Sequence, residues 1–378
     1  MKPTVKIIAI FLISFIVYLL TSSGTTPYNY FTRLAAAFLH GKYYIPDSPS
    51  WLSELIPIAK DKFAVVYPPG PAILLLPFVA IFGSSFPQNI FAHLIGAALV
   101  AVSTLTCYEI TKSQIKTFWV TLLVAFGSII WFESSVGSVW YLGQTTAVLF
   151  LALAILAQIK KQSGLVVGIL FGIAFLSRIE LIVALPFFFF EANKNRLHIL
   201  LGLIPFVSFY LFYNFIRFGN PLDTGYSLIP GVLSEPWYKH GILNFSYIPR
   251  GLEVMLASLP KYRNTFPYLI PSWAGLAIWI TTPAFVFAFF ANLKEKGVLL
   301  SWAAISAILL TILMHGETGY AQFGYRFAID FYPFLIFLII KYLSKNKLMW
   351  LHWTLLSFSI LVNLWGVILI NKLHIVAP

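Results

Sequence analysis

Charged residues are scarce in this chain of 378 residues. Asp, Glu, Lys and Arg make up 10% of it, whereas a soluble domain carries about 25%. Hydrophobic residues account for 59%, and the mean hydropathy is +0.85. This composition excludes an ordinary soluble domain and predicts a polytopic membrane protein with a single integral domain, residues 1–378.

Cysteine and several motifs of soluble enzymes are also scarce or missing. The single cysteine, Cys107, lies in a hydrophobic run and excludes an intrachain disulfide. The sequence holds no HExxH, no Cys-based zinc spacing, no Gly-rich phosphate loop and no nucleophile elbow. A DxD motif is missing as well, which is consistent with a donor other than a metal-chelated nucleotide sugar, while a divalent metal is left open. No internal repeat of the kind common in secondary transporters is visible.

Long hydrophobic runs are abundant, and about 20 apolar residues cross a bilayer as a helix. Three shorter runs, at 71–83, 164–177 and 179–190, are ambiguous. The clear candidates are residues 5–22, 88–111, 116–133, 139–160, 196–216, 271–291, 298–314, 327–343 and 350–370.

The net charge of +12 comes from lysines and arginines in short loops, so it favours orientation control over nucleic-acid binding. The positive-inside rule places all of these short segments in the cytoplasm. The basic segments are Lys2/Lys6, Lys112/Lys116, Lys160/Lys161, Lys194/Arg196, Lys294/Lys296 and Lys341/Lys345/Lys347.

With all basic segments in the cytoplasm, the number of membrane crossings between two of them must be even. This condition decides which of the ambiguous runs cross the membrane. Residues 71–83 are predicted as a juxtamembrane helix, and residues 164–190 as a hairpin of two short helices broken at 177–180. About eleven spans result, with the N-terminus inside. The first loop (residues 23–70) and the second loop (residues 217–270) then both face outward, over a single pocket.

The first loop is polar, aromatic and rich in proline. Phe31, Leu34, Ala35, Phe38 and Leu39 recur at helical spacing, which predicts an amphipathic helix that ends at Gly41 on the membrane surface. The prolines of the run YPPGP, residues 67–71, then direct the chain back toward the bilayer.

Five pieces of sequence resemble the GT-C superfamily of membrane glycosyltransferases. The resemblance is in particular to bacterial members similar to protein O-mannosyltransferases and to lipid A aminoarabinose and galacturonic acid transferases. In order, the pieces are TPYNYFTRLAAAFLHGKYYI with YPPGPAILLLP, FLSRIELIVALPF, YNFIRFGNPLDTGY, RGLEVMLASLP and HGETGYAQFGYRFAIDFYPF.

The resemblance implies an all-α membrane fold, with juxtamembrane helices in the first loop, in the plasma membrane. It also implies transfer of a hexose or pentose from a polyprenyl-phosphate carrier to a hydroxyl of a lipid, glycan or protein, on the outer face. Such enzymes use a first-loop carboxylate as base and basic residues to hold the carrier phosphate. The sequence departs from the family where an acid is usual before Gly41, since that position is Thr26, and the run Leu34–Ala37 lacks a second Asp.

Two acids of the first loop are candidate catalytic bases. Glu54 follows Trp51 and Leu52, an environment that favours desolvation, although an inert surface Glu is the plainer interpretation. Asp47 lies between prolines, where turn capping is the plainer role. Asp61 lies between two lysines and indicates a solvated charge cluster.

Three arginines are candidate ligands of the donor phosphate. Arg217 ends a span, where snorkelling is the alternative. Arg326 is spaced i,i+4 from Asp330, so a structural ion pair is its alternative. Arg178 lies at the tip of the short hairpin, and on a regular helix Glu180 would not face it.

The remaining candidates bind substrate around the short loop 315–326. They are Tyr226, Glu317 and Tyr325. His315 lacks a second histidine nearby, so a metal site there is not supported. Two other functions stay open at this point: a glycolipid transporter or flippase, and an inactive relative that acts as a partner subunit.

Overall fold

A computed structural model describes residues 3–191, 196–319 and 322–377. Lys2, Lys194 and Tyr320, which the sequence places in two basic segments and in the last outer loop, lie outside these ranges. The described chain is almost entirely helical, as predicted.

The chain begins with α1 (Pro3–Leu20) and enters the first loop, which contains α2 (Tyr30–Leu39) and the strands β1 (Leu55–Ala59) and β2 (Lys62–Val65). The short helix α3 (Gly70–Phe82) follows this loop. The membrane bundle continues with α4 (Gln88–Thr111), α5 (Gln114–Ala125), α6 (Ile130–Val136), α7 (Val139–Ile159), α8 (Gly164–Ser177), α9 (Leu185–Glu191) and α10 (Arg196–Phe218). The second loop holds α11 (Ile248–Ala257) and the strands β3 (Lys261–Tyr262) and β4 (Leu269–Ile270). The chain ends with α12 (Ile278–Thr281), α13 (Lys296–Leu313), α14 (Tyr332–Lys345) and α15 (Trp350–Val367).

Six helices of the described chain are long and apolar enough to cross a membrane, and a seventh crossing is possible where α5 and α6 meet at 49°. The protein is therefore embedded in a membrane, while the count of eleven spans stays a prediction. The six are Gln88–Thr111, Val139–Ile159, Arg196–Phe218, Lys296–Leu313, Arg326–Lys345 and Trp350–Lys372.

Two predicted spans are not continuous helices. The span 116–133 is broken between α5, which ends at Ala125, and α6, which begins at Ile130. Residues 271–291 form the single turn α12 followed by a 3-10 helix at Pro283–Phe290. Pro283 follows Thr282, whose non-helical backbone ends α12, and proline disfavours a helical conformation in the residue before it.

The hairpin at residues 164–190 is confirmed, including its break. Helix α8 ends at Ser177, Arg178 has an extended backbone, and a 3-10 helix (Ile179–Ala184) leads into α9. Glycines allow α8 to lie directly on α10: a Cβ at Gly168 would lie 2.1 Å from the carbonyl oxygen of Ile199. This close packing fixes the position of Arg178 at the break.

The amphipathic helix of the first loop is also confirmed, as α2. Its apolar residues Phe31 and Leu34 are buried within the protein, and the helix packs against α3. The hairpin that follows was not predicted. Strands β1 and β2 are antiparallel, with Lys60 and Asp61 at the turn.

Candidate functional site

The first and second loops both line one cavity, as the sequence predicts. The cavity has a volume of about 230 Å³ and is lined by Tyr67 of the first loop and Tyr226 of the second. Trp140 of α7, Arg178 at the hairpin break and Arg326 complete its polar wall.

Arg326 is a buried cation without an anionic partner. It begins the 3-10 helix Arg326–Phe331, and only 6% of the residue is exposed. Its guanidinium lies 4.8 Å from the ring centre of Phe327 and 6.0 Å from that of Trp140. Among the described residues, Nε of Arg326 has no hydrogen-bond partner and the Arg326 side chain forms no ion pair. A buried charge in this state is costly unless an anion joins it.

The backbone around Arg326 is held in place from both sides. The side chain of Gln322 accepts a hydrogen bond from the Arg326 backbone N–H at 3.0 Å, and the amide of Gln144 donates to its carbonyl at 3.0 Å. The guanidinium is thus presented to the cavity by a rigid segment.

Asp330 forms its ion pair with Arg178 and not with Arg326. Nη2 of Arg178 lies 2.9 Å from Oδ2 of Asp330, which is fully buried. The alternative of an Arg326–Asp330 pair is therefore wrong, because the 3-10 helix turns Asp330 toward the hairpin break. Arg178 also pairs with Glu180. On a regular helix these two side chains would not face each other, but the extended backbone at Arg178 removes the helical spacing.

Asp330→Asn is expected to destabilise the protein by about 3 kcal/mol, because removing one partner of a buried ion pair leaves the other charge uncompensated. This value is at the low end of the usual loss of about 3–5 kcal/mol for a broken buried ion pair, because Glu180 remains beside Arg178. Thermal unfolding in detergent measures the effect, with Glu180→Gln as the comparison and a smaller expected loss. Equal stability of Asp330→Asn and the parent would contradict the assignment.

Glu54 contacts the cavity wall through Trp140, although Glu54 itself does not line the cavity. Its Oε2 accepts a hydrogen bond from Nε1 of Trp140 at 3.0 Å, and its backbone N–H donates to the Tyr30 hydroxyl at 3.2 Å. Burial raises the pKa of Glu54 to about 7, with a further increase from Glu317, while Arg326 and the Trp140 N–H oppose the rise. A carboxylate with this pKa is suited to accept a proton near neutral pH.

An aromatic cluster surrounds His315 at the cavity wall. The rings of Tyr226 and Tyr238 each lie 5.6 Å from the imidazole, nearly perpendicular to it, and Phe327 lies 5.8 Å away. Burial lowers the pKa of His315 and raises the pKa of Tyr226. Both groups are therefore neutral at pH 7, and the cluster offers flat, uncharged surfaces for a ring-shaped substrate.

Glu317 is half-buried beside this cluster, and its backbone N–H donates to Nδ1 of His315 at 3.2 Å. The charge of Glu317 contributes to the raised pKa of both Tyr226 and Glu54. Tyr325 is buried behind the wall against Phe327, 6.0 Å between ring centres, and its hydroxyl has no partner. Of these predicted substrate-binding residues, Tyr226 lines the cavity, whereas Glu317 and Tyr325 do not.

Asp47 and Arg217 also lie outside the cavity lining. Asp47 forms an ion pair with Arg33 at 2.6 Å and is more than half exposed. The guanidinium of Arg217 donates to the carbonyls of Val65 (2.5 Å) and Tyr213 (3.3 Å) and to Oδ1 of Asn214 (2.6 Å). Arg217 thereby holds the start of the second loop against β2.

Glu133 on α6 was not predicted as a functional residue. It is 1% exposed, and neither carboxyl oxygen has a hydrogen-bond partner. Arg326, Asp330 and Arg178 all act on it electrostatically. Its sequence signal was a lone carboxylate within an apolar run, which usually marks a functional position in a membrane protein.

Within the ranges that the structure describes, no group of three or more His, Cys, Asp or Glu side chains is arranged to hold a metal ion.

Three solved structures are similar to this chain. ArnT from Cupriavidus metallidurans bound to undecaprenyl phosphate is 12% identical, with a TM-score of 0.51 over 91% of this chain and 60% of that one. Its apo state is 11% identical, with a TM-score of 0.54 over 92% and 61%. The apo oligosaccharyltransferase of Archaeoglobus fulgidus is 11% identical, with a TM-score of 0.50 over 97% and 56%.

The chain has the GT-C fold. This confirms the fold that the sequence resemblance implied. The chain spans about 60% of the length of ArnT. No protein-family model matches the sequence, and no curated protein matches it.

Proposed function

We propose that this protein is an integral membrane glycosyltransferase. It takes a sugar from a polyprenyl-phosphate carrier and passes it to a hydroxyl of a lipid, glycan or protein acceptor, on the extracytoplasmic face of the plasma membrane. The proposal rests mainly on Arg326. This buried cation lines the cavity and forms no ion pair with any residue that the structure describes.

The donor phosphate is the anion that best completes this site. Arg326 supplies unpaired donors, and Nε of Arg178 is also without a partner. A guanidinium binds phosphate oxygens through paired N–H groups. The solved ArnT complex contains undecaprenyl phosphate on the same fold, which supports a polyprenyl carrier. A contact between Arg217 and this phosphate stays a prediction, and the proposal does not depend on it.

Glu54 is the proposed base. It removes the proton from the acceptor hydroxyl, and the acceptor oxygen attacks the anomeric carbon of the sugar. The bond from that carbon to the phosphate oxygen breaks, and its electron pair leaves with the polyprenyl phosphate, whose added charge Arg326 and Arg178 stabilise. Asp47 is the second candidate, but its pairing with Arg33 at the surface favours Glu54.

The sugar ring is proposed to lie against Tyr226, with Glu317 beside it as a hydrogen-bond acceptor for sugar hydroxyls. Tyr325 acts through Phe327, which lines the cavity. The placement of this cavity outside the cell rests on the lysine-rich segments at the opposite ends of the helices.

A transfer assay tests the function. Purified protein in proteoliposomes receives labelled polyprenyl-phosphate hexoses and pentoses together with lipid, glycan and peptide hydroxyl acceptors. We expect label on at least one acceptor with the parent protein and almost none with Arg326→Gln. Absence of transfer with every donor and acceptor pair, from a protein that remains folded, would contradict the proposal and favour a transporter or a partner subunit.

A further inference from the structure

A second, larger cavity lies away from the candidate site, as a groove between α1, α4 and α5. Its volume is about 650 Å³. Its walls come from Ile10 and Ser14 of α1, Thr104 of α4, and Thr121 and Phe126 of α5, among others. Helix α1 packs against α4, and the groove separates it from α5.

The walls of the groove suit an alkyl chain. Its threonines direct their hydroxyls to their own helices: Thr104 donates to Val100 at 2.8 Å, and Thr121 donates to Thr117 at 2.8 Å. A threonine that is bonded to the carbonyl one turn back presents mainly its methyl group. The remaining surface is aliphatic and aromatic, so an apolar occupant leaves none of these hydroxyls unsatisfied.

One end of the groove is polar and cationic. Nζ of Lys6 donates to Oε1 of Gln114 at 2.8 Å, which leaves two of its three protons for another acceptor. Lys112 and Lys160 share the carboxylate of Glu109. Lys116 follows Gln114 by two residues, and in the described part of the chain neither it nor Lys6 forms an ion pair. Lys6 thus lies in the groove lining, and the neighbouring segment Glu109–Lys116 holds two lysines and one glutamate.

The length of the groove matches one leaflet. Its lining on α5 runs from Gln114 to Phe126, which at 1.5 Å per residue is about 18 Å. Half of a bilayer core is about 15 Å thick. A lipid whose head group lies at Lys6 would thus extend one acyl chain along the whole groove to the bilayer midplane.

We propose that this groove binds an anionic phospholipid, with one acyl chain between α1 and α5 and the phosphate at Lys6. The lipid fills the space that separates α1 from α5 and so stabilises α1, the helix that leads into the first loop. The lysines at the polar end favour a negatively charged head group, as expected on the cytoplasmic face. This site is independent of the proposed transferase activity.

The test compares phosphatidylglycerol with phosphatidylcholine as the added lipid. Native mass spectrometry counts bound lipids, and thermal unfolding in detergent gives the shift in Tm. For the parent protein we expect preferential binding of phosphatidylglycerol and a rise in Tm of about 2–4 °C relative to phosphatidylcholine.

Lys6→Gln is expected to lose most of this preference, and Ile10→Trp, which fills the groove, to lose bound lipid of both kinds. Lys347→Gln is the matched control, because Lys347 is an exposed lysine distant in sequence from the groove, and it should behave like the parent. Equal lipid preference in Lys6→Gln and the parent would overturn the proposal. So would displacement of phosphatidylglycerol by neutral phosphatidylcholine at equal concentration. If Ile10→Trp does not fold, the comparison of Lys6→Gln with Lys347→Gln decides alone.

Discussion

Arg326→Gln is expected to lower the rate of sugar transfer by about 10²–10³-fold, because it removes a preorganised donor aimed at the charge that develops on the leaving phosphate. The loss should appear in kcat as well as in KM, since that charge grows in the transition state. Stability should fall little or rise, because the parent side chain is a buried charge without an anionic partner. Initial rates with a labelled polyprenyl-phosphate sugar, together with Tm, provide the measurement.

Arg263→Gln is the matched control for this change. Arg263 is exposed in the second loop, near β3, and its guanidinium has a 3.4 Å contact with Thr265. Its replacement should leave the rate unchanged. If the two variants show equal rates, Arg326 does not bind the donor phosphate.

Glu54→Gln is expected to lower transfer by about 10²–10⁴-fold, the usual contribution of a positioned general base. The parent rate should rise with pH through about 7, because burial raises the pKa of Glu54 to about 7 and only the ionised carboxylate accepts a proton. The residual activity of Glu54→Gln should lack this rise. Rates from pH 5 to 9 measure it, with Glu253→Gln, an exposed glutamate on α11, as the control.

The same raised pKa links stability to pH. The folded state holds the Glu54 proton more tightly than the unfolded state, whose pKa is near the ordinary value of 4.5. Stability from this group is therefore complete below about 4.5 and is lost as pH rises through about 7. Glu54→Gln should unfold with less dependence on pH across this window, whereas an unaltered dependence would show that Glu54 is solvated.

Much of the fold could be predicted from local sequence patterns. Helical spacing located α2, and the lysine clusters separated the hairpin of α8 and α9 from a single long span, with its break at Arg178. The convergence of the first and second loops was predicted because the basic segments place both loops on the same side of the membrane. The hairpin of β1 and β2 was missed, because Pro57 and the charged turn at Lys60 and Asp61 resembled loop sequence.

Contacts between distant parts of the chain lay beyond such patterns. Arg178 and Asp330 are 152 positions apart, so no local rule could pair them in preference to Arg326 and Asp330. The hydrogen bond from Arg217 to Val65 likewise joins residues 152 positions apart. Glu54 was ranked by its neighbours Trp51 and Leu52, yet the group that holds it is Trp140 of α7.

A structure of the protein in nanodiscs with a polyprenyl phosphate provides the most direct test. We expect the phosphate in the cavity, with its oxygens at hydrogen-bond distance, about 2.7–3.2 Å, from the guanidinium of Arg326 and close to Arg178. Glu54 should lie on the side of the cavity open to an acceptor. A lipid phosphate bound elsewhere, with Arg326 still facing an empty cavity at saturating ligand, would contradict it.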